Sequence, residues 1–286
     1  MKIGIWPFDH DRDKREGSSR IRCEWLIKYW PEAEEYKIGK NYDVILFQKV
    51  YFPEFMERFN GIKIMDFCDP EWLEGLPVRK CIELADAVTV SSEGLYQFFN
   101  IAIKNKPVKL IKDRVDMEIN KQKKIHKGQA KTVVWFGYSQ NAHVLKDTIK
   151  RLKEFDLDLI IISDNNVSKS LCGTLNADYL DKIKFYHFNE KTYNEQIIKG
   201  DIVLLPQSIR PRDRFKSENK TVHSWSLNMP VANTLEGLIR LMDESERIKE
   251  TEKNMKIVLE EYQVKKSVEE YKKLIDEIKS SRFDRI

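Results

Sequence analysis

Short apolar runs of strand length recur along the chain, and between them apolar residues return every three or four positions. In the first half the runs are Lys2 to Trp6 (KIGIW), Asp43 to Val50, Ile62 to Cys68, Ala87 to Ser92 and Val108 to Asp113. Each is brief and almost uninterrupted, the pattern of a strand buried on both faces. Helical spacing falls between them. It predicts a helix from about Arg20 to Trp30 capped by Ser18 or Ser19, one around Glu54 to Phe59, one near Val78 to Ala85, and one after Ser92. Strands alternating with helices predict βαβ units and a parallel sheet flanked by helices. From Met117 to Lys131 the pattern lapses into a lysine-rich polar stretch, which reads as a linker. A second alternating set follows: Thr132 to Gly137, a helix from about Ala142 to Phe155, Leu157 to Asp164, IKFYHF, a helix near Tyr193 to Lys199, and Asp201 to Gln207. The segment MPVANT predicts one more short strand, and Leu235 to Ile278 reads as two or three helices.

The expected organisation is therefore α/β with two Rossmann-like domains. Residues 1–120 form the first, 121–131 a linker, and 132–260 the second, while 261–286 is a helix returning to the first domain. A chain of 286 residues with 41% hydrophobic content is long enough for two cores. A net charge of +4 is mild at this length, so any preference for anions must be local. Cys23, Cys68, Cys81 and Cys172 show no CxxC spacing, which argues against a zinc site or a disulfide framework and for a reducing compartment. No run is long enough for a membrane span and the start is too short for a signal peptide, so the expected location is cytoplasmic.

Chemistry concentrates late in the chain. Arg210, Arg212, Arg214 and Lys216 crowd a loop that follows the Asp201 to Gln207 strand and precedes a helix. Ser217, Asn219 and Lys220 fall in the first turn of that helix, where backbone N–H groups and the dipole favour an anion. On the same helix Val222 and Trp225 are spaced to face the sheet, and Lys220 and Ser224 to face a ligand. A phosphate or diphosphate seat at the carboxyl end of a sheet strand is the functional reading, and a solvated basic loop the plain one. Gly137 ends a strand ahead of Ser139, Gln140 and Asn141, so a ligand can approach the backbone there, although ordinary turn chemistry uses the same residues. In the first half, Ser19, Arg20 and Arg22 stand near a helix start at the edge of the first strand, inviting an anion or a salt bridge to Glu16 or Glu24. Asp66, Asp69 and Glu71 close another strand, and these carboxylates read either as a hydroxyl-binding or general-base group, with Asp69 the candidate base, or as turn and N-cap residues before Pro70. The first loop carries Asp9, Asp11 and Asp13 at metal-binding spacing, but a solvated loop is the expectation and no metal is assigned.

Several of these segments together resemble the GT-B glycosyltransferases, most nearly the family 4 type. GSSRIRCEWL (Gly17 to Leu26) is similar to the arginine-bearing first loop and helix, ADAVTVSSEGL to a strand and serine turn, and KLIKDRVDME to the segment before the interdomain linker. VVWFGYSQN resembles the strand and glycine turn that open the donor domain, and SENKTVHSWSLNMPVA the helix signature in which Lys220, Pro230 and Val231 match in register. The resemblance implies two domains facing a cleft and transfer of a hexosyl or pentosyl group from a nucleotide-diphosphate sugar such as a UDP-sugar, with retention and with no metal or other cofactor. It implies Lys220 and Arg212 on the diphosphate, with Gly137, Ser139, Ser217 and Asn219 nearby. It places the acceptor, whether glycan, small molecule or DNA, on the first domain near Ser19, Arg20, Arg22 and Asp69. The chain departs from the pattern where His223 stands for the second glutamate of a pair, Asn228 for a glycine, and Asp113 and Arg114 for an Asn-Gly pair. His223 is then the candidate to replace that glutamate at the donor. Two alternatives stay open: a transferase acting on modified bases in DNA, and a non-catalytic binder of nucleotides or anions.

Overall fold

The computed structural model describes residues 1–9, 16–119, 121–171, 177–208 and 210–283. They form two compact units, one made of Met1–Asp116, Arg210–Asn219 and Tyr262–Ile286, the other of Met117–Ile209 and Lys220–Glu261. The first unit holds strands β1 (Ile3–Pro7), β2 (Ala33–Glu35), β3 (Val44–Gln48), β4 (Ile62–Phe67), β5 (Ala87–Val90) and β6 (Val108–Leu110). They pair in the order β2-β1-β3-β4-β5-β6, every ladder parallel. Alternate side chains explain the double burial. Ile45, Phe47, Met65, Phe67, Val88 and Val90 build a core on one face, while Ile3, Ile5, Leu46 and Ile64 are buried on the other.

The second unit holds β7 (Thr132–Phe136), β8 (Asp158–Ser163), β9 (Ile183–His187), β10 (Ile202–Leu204) and β11 (Val231–Ala232). Their order is β11-β10-β7-β8-β9, again all parallel. Val133, Trp135, Leu159 and Ile161 face one core and Val134, Phe136, Ile160 and Ile162 the other. In each unit the chain runs outward from one strand and then returns to build in the opposite direction. Strand order therefore reverses between β1 and β3 and between β7 and β10, and a crevice opens at the carboxyl ends of such neighbours.

The division differs from the expected boundaries in two places. The basic loop Arg210–Asn219 belongs to the first unit rather than to the second. The stretch read as a linker is tied down along its length on the second unit. Lys124 pairs with Asp201 at 3.0 Å and its N–H donates to Leu227 O, His126 Nε2 meets Asn228 O, and Arg247 donates to Gly128 O. Asn228 explains its own departure from glycine. It ends the Asn219–Ser226 helix with φ 60°, a left-handed conformation that asparagine tolerates better than most residues, and its amide Nδ2 donates to Lys124 O.

The helix expected from Arg20 to Trp30 is built in three parts: Gly17–Ser19, a π-helical turn over Arg20–Glu24, and Trp25–Tyr29. Residues two apart on an α-helix point apart, yet Arg20 and Arg22 are both buried. The wider turn lets both face inward. The C-terminal region forms Leu235–Leu241, Glu244–Glu261 and Val264–Phe283, of which the last belongs to the first unit. No helix among the described residues is long and apolar enough to cross a membrane.

Candidate active site

At the β7/β10 reversal the chain leaves β7 through Gly137, whose φ is +154°. A Cβ added there would stand 2.5 Å from Lys220 Nζ, so the missing side chain makes room for the ammonium. That ammonium also lies 5.4 Å from the ring centre of the buried Trp135. The turn is held from β8, where Ser163 donates to Gly137 O at 2.6 Å and Asp164 accepts from Ser139 N at 2.8 Å. Burial raises the Asp164 carboxyl, yet the donors of Ser139 and Asn166 together hold it below its ordinary range. Across the reversal, His143 Nε2 lies 3.3 Å from Ser208 Oγ on the segment that follows β10. Gly137, Ser139 and Lys220 are thus brought together on one unit, as a glycine turn under a lysine at a helix start.

The same helix turns differently from expectation. Val222 is buried, but so are His223 and Ser224, while Trp225 is only half-buried. Ser224 Oγ donates back to Lys220 O at 2.7 Å, the usual bond of a serine inside a helix. His223 Nε2 lies 2.7 Å from Asn194 Oδ1 and its ring stacks on Tyr193 with centres 5.1 Å apart. These contacts fix the imidazole within the second unit.

The basic loop belongs to the first unit and its cations are exposed. Arg212 meets Glu74 at 3.3 Å, both half exposed, and Lys216 meets Asp213 at 2.6 Å. Arg214 folds over its own neighbour Phe215. Local carboxylates therefore supply part of the counter-charge that the sequence demanded. Ser217 donates to Asp113 Oδ2 at 2.5 Å, and Glu218 accepts from Tyr262 at 3.1 Å. Asn219 begins the helix, half-buried.

In the first unit Arg22 is enclosed rather than presented. Its Nε donates to Asp66 Oδ2 at 2.6 Å and its Nη2 to Asp66 Oδ1 at 2.5 Å, while Nη1 donates to Asp113 Oδ1 and Ile111 O, each at 2.9 Å. Tyr271 donates to Asp66 at 2.9 Å, and Thr89 donates to it at 2.6 Å. All of these groups are buried. Nearby Asp66 and Asp113 hold the guanidinium pKa well above its ordinary value although burial opposes this, and burial raises Asp113 although Arg22 opposes that. Asp113 and Arg114, in place of an Asn-Gly pair, thus have structural partners, since Arg114 also forks onto Glu270 at 2.6 and 2.7 Å.

The β1/β3 reversal holds a cluster that the sequence showed only in part. Ser19 Oγ donates to Gln48 Oε1 at 3.2 Å, so this serine faces the end of β3, and Arg20 is buried beside Trp25, 6.0 Å from its ring centre. Lys49, the residue after β3, adopts φ 55° and aims its ammonium between Asp69 Oδ2 at 2.8 Å and Glu71 Oε1 at 3.3 Å. The Phe8 ring, after β1, covers that ammonium at 4.5 Å. The Cys68 thiol and the Asp69 and Glu71 carboxylates lie within 4.8 Å of one another, and the positive charge that answers them is Lys49. Burial pushes the Glu71 carboxyl up to about 7, overcoming the neighbouring ammonium. Glu71 was named with Asp66 and Asp69 from the sequence, whereas Lys49, a polar residue directly after a buried strand, was not. Of the aspartates in the first loop, Asp9 accepts from Glu16 N at 2.9 Å, while Asp11 and Asp13 lie outside the described residues.

No protein-family model matches the chain and no curated protein matches it in sequence. Solved structures do match. T4 phage BGT in complex with its UDP-glucose substrate aligns at TM-score 0.62 and 12% identity, covering 96% of this chain and 100% of that one. AviGT4, a glycosyltransferase involved in avilamycin A biosynthesis, aligns at TM-score 0.61 and 9% identity over 98% of each chain. TarM of S. aureus, in complex with fondaparinux, α-GlcNAc-glycerol and UDP, aligns at TM-score 0.56 and 9% identity over 81% of this chain. The chain spans about half the length of TarM. At such identities the likeness concerns architecture, and the architecture is that of the GT-B glycosyltransferases: two parallel sheets, each flanked by helices.

Proposed function

We propose that this protein is a glycosyltransferase of the family 4 type that takes a hexosyl or pentosyl group from a nucleoside-diphosphate sugar. The observation that carries the reading is the Lys220 ammonium seated against Gly137 at the β7/β10 reversal. Transfer makes the anomeric carbon positive and the departing diphosphate negative, so a cation fixed at the leaving group lowers the barrier most directly. Lys220 and the start of its helix supply that charge, with Gly137 and Ser139 beside it; Arg212, Ser217 and Asn219, which the resemblance also assigns to the diphosphate, belong to the first unit. His223 acts on this side only by shaping the pocket wall with Tyr193. No metal is needed for this step, and full activity after chelator treatment is the expected result.

The acceptor belongs to the β1/β3 reversal, near Ser19, Arg20 and Asp69, with Asp69 taking the proton of the attacking hydroxyl. Arg22, enclosed by Asp66 and Asp113, acts there by holding the scaffold. The family resemblance favours retention, and the anomeric configuration of the product tests it. For a DNA acceptor, a phosphate track would have to avoid Lys123 and Lys124, which bond Ser226 O and Asp201.

The test is incubation with a panel of nucleotide sugars. Release of nucleoside diphosphate is expected, and Lys220→Ala should weaken UDP binding by more than about tenfold, roughly 1.4 kcal/mol, in a calorimetric titration. Unchanged affinity would remove the diphosphate assignment. Donor binding without any release would leave a non-catalytic binder, and retention on DNA that salt abolishes would favour the nucleic-acid acceptor.

A further inference from the structure

We propose that Glu71 is a positioning residue for the acceptor side: through Lys49 it governs whether the Asp69 carboxylate is available to the attacking hydroxyl. The inference rests on the transferase reading above. Glu71 is 2% exposed, and neither of its carboxyl oxygens receives a geometrically sound hydrogen bond from the described residues. Enclosed in this way, it cannot touch a substrate. Asp69 can, since its side chain is 36% exposed. The two carboxyl groups share one ammonium, at 2.8 and 3.3 Å, and that ammonium is held on a short tether. Lys49 keeps a left-handed backbone, which strains a non-glycine residue. Its N–H is bonded to Asp66 O at 3.1 Å, and Phe8 closes the far side of its Nζ.

One ammonium serves two carboxyl groups, of which only Glu71 is buried, so the cost of an unmatched charge falls on Glu71. Burial therefore favours a proton on Glu71, whose carboxyl titrates at about 7. The other groups facing it are the Tyr51 hydroxyl and the Cys68 thiol, which burial keeps protonated, with Asp66 adding to this at Tyr51 and Asp113 at Cys68. Below neutrality Glu71 is uncharged and Lys49 is committed to Asp69. Above it, ionised Glu71 draws Lys49 inward and releases an Asp69 oxygen. The acceptor proton then passes to Asp69 as the new oxygen–carbon bond forms, and the pair of electrons from the broken sugar–phosphate bond leaves on the nucleoside diphosphate.

The experiment has two arms on the full chain, in wild type, Glu71→Gln and Lys49→Met. Carboxyl carbon NMR across the pH range should show the Asp69 resonance moving with the Glu71 titration in wild type and losing that step in both variants. With UDP-glucose as probe, release of UDP should rise about tenfold between about pH 6 and pH 8 in wild type and stay flat in Glu71→Gln at unchanged KM, with Glu71→Asp restoring an inflection. An Asp69 resonance blind to Glu71, or a Glu71→Gln profile that keeps the inflection near neutrality, overturns the proposal even if sugar is transferred. Coupled resonances in a chain that turns over no nucleotide sugar overturn instead the transferase reading on which the role depends.

Discussion

The two strand-order reversals carry the same residue type to opposite ends. At β7/β10 a lysine ammonium lies against a glycine and over an indole. At β1/β3 a lysine ammonium lies between two carboxyl groups under a phenyl ring. Topology fixes where each crevice opens, and the local balance of charge decides what suits it. The first arrangement favours an anion. The second has acid to spare, and suits a neutral hydroxyl that must lose a proton.

The most damaging way to break this comparison is to remove the frame beneath the β1/β3 reversal. Asp66→Ala breaks the buried two-bond pair with Arg22 and leaves that guanidinium only Asp113 as a carboxylate partner among the described residues, so a loss of about 3–5 kcal/mol in chemical denaturation is expected. Glu71→Gln sharpens the contrast without removing the frame. A folded-state carboxyl at about 7 keeps a proton that the unfolded chain has already lost, so wild-type stability should fall as pH rises from the ordinary carboxyl range to about 7 and level off above it. The Gln variant should lose that slope, a difference of roughly 3 kcal/mol at most between thermal profiles. If the two reversals divide donor from acceptor, Lys49→Met should leave UDP affinity within about twofold while Lys220→Ala costs at least about tenfold. Equal losses would erase the distinction. The smallest effect is Arg212→Ala, whose exposed pair with Glu74 should change stability by less than about 1 kcal/mol; any larger loss in UDP affinity would mark its role at the diphosphate.

Apolar runs in the sequence located β1, β3 to β5, β7, β8 and β10 because strands buried on both faces leave little room for polar residues, and IKFYHF located β9 although that edge strand is mostly exposed. The pattern failed at β2, the edge strand Ala33–Glu35, whose Glu34 and Glu35 are only half-buried and form no apolar run. Gly137 and Lys220 could each be singled out by a local rule for turns or helix starts, and only the family resemblance put them at one site. Arg22 could not be placed, since its partners Asp66, Asp113 and Tyr271 lie 44, 91 and 249 positions away. Read locally, an arginine near a helix start resembles a ligand group, and only tertiary structure shows its counter-charges. Lys49 was missed for the same reason: its role comes from a left-handed turn and from carboxylates on the following loop.

The Tyr271 hydroxyl reaches Arg22 at 3.0 Å from the far end of the chain. During translation, therefore, the guanidinium and Asp66 must wait for one of their partners until the Val264–Phe283 helix has left the ribosome. Residues of the second unit are all synthesised before that moment and can consolidate first. A nascent chain stalled before Val264 would carry an unfinished ionic core.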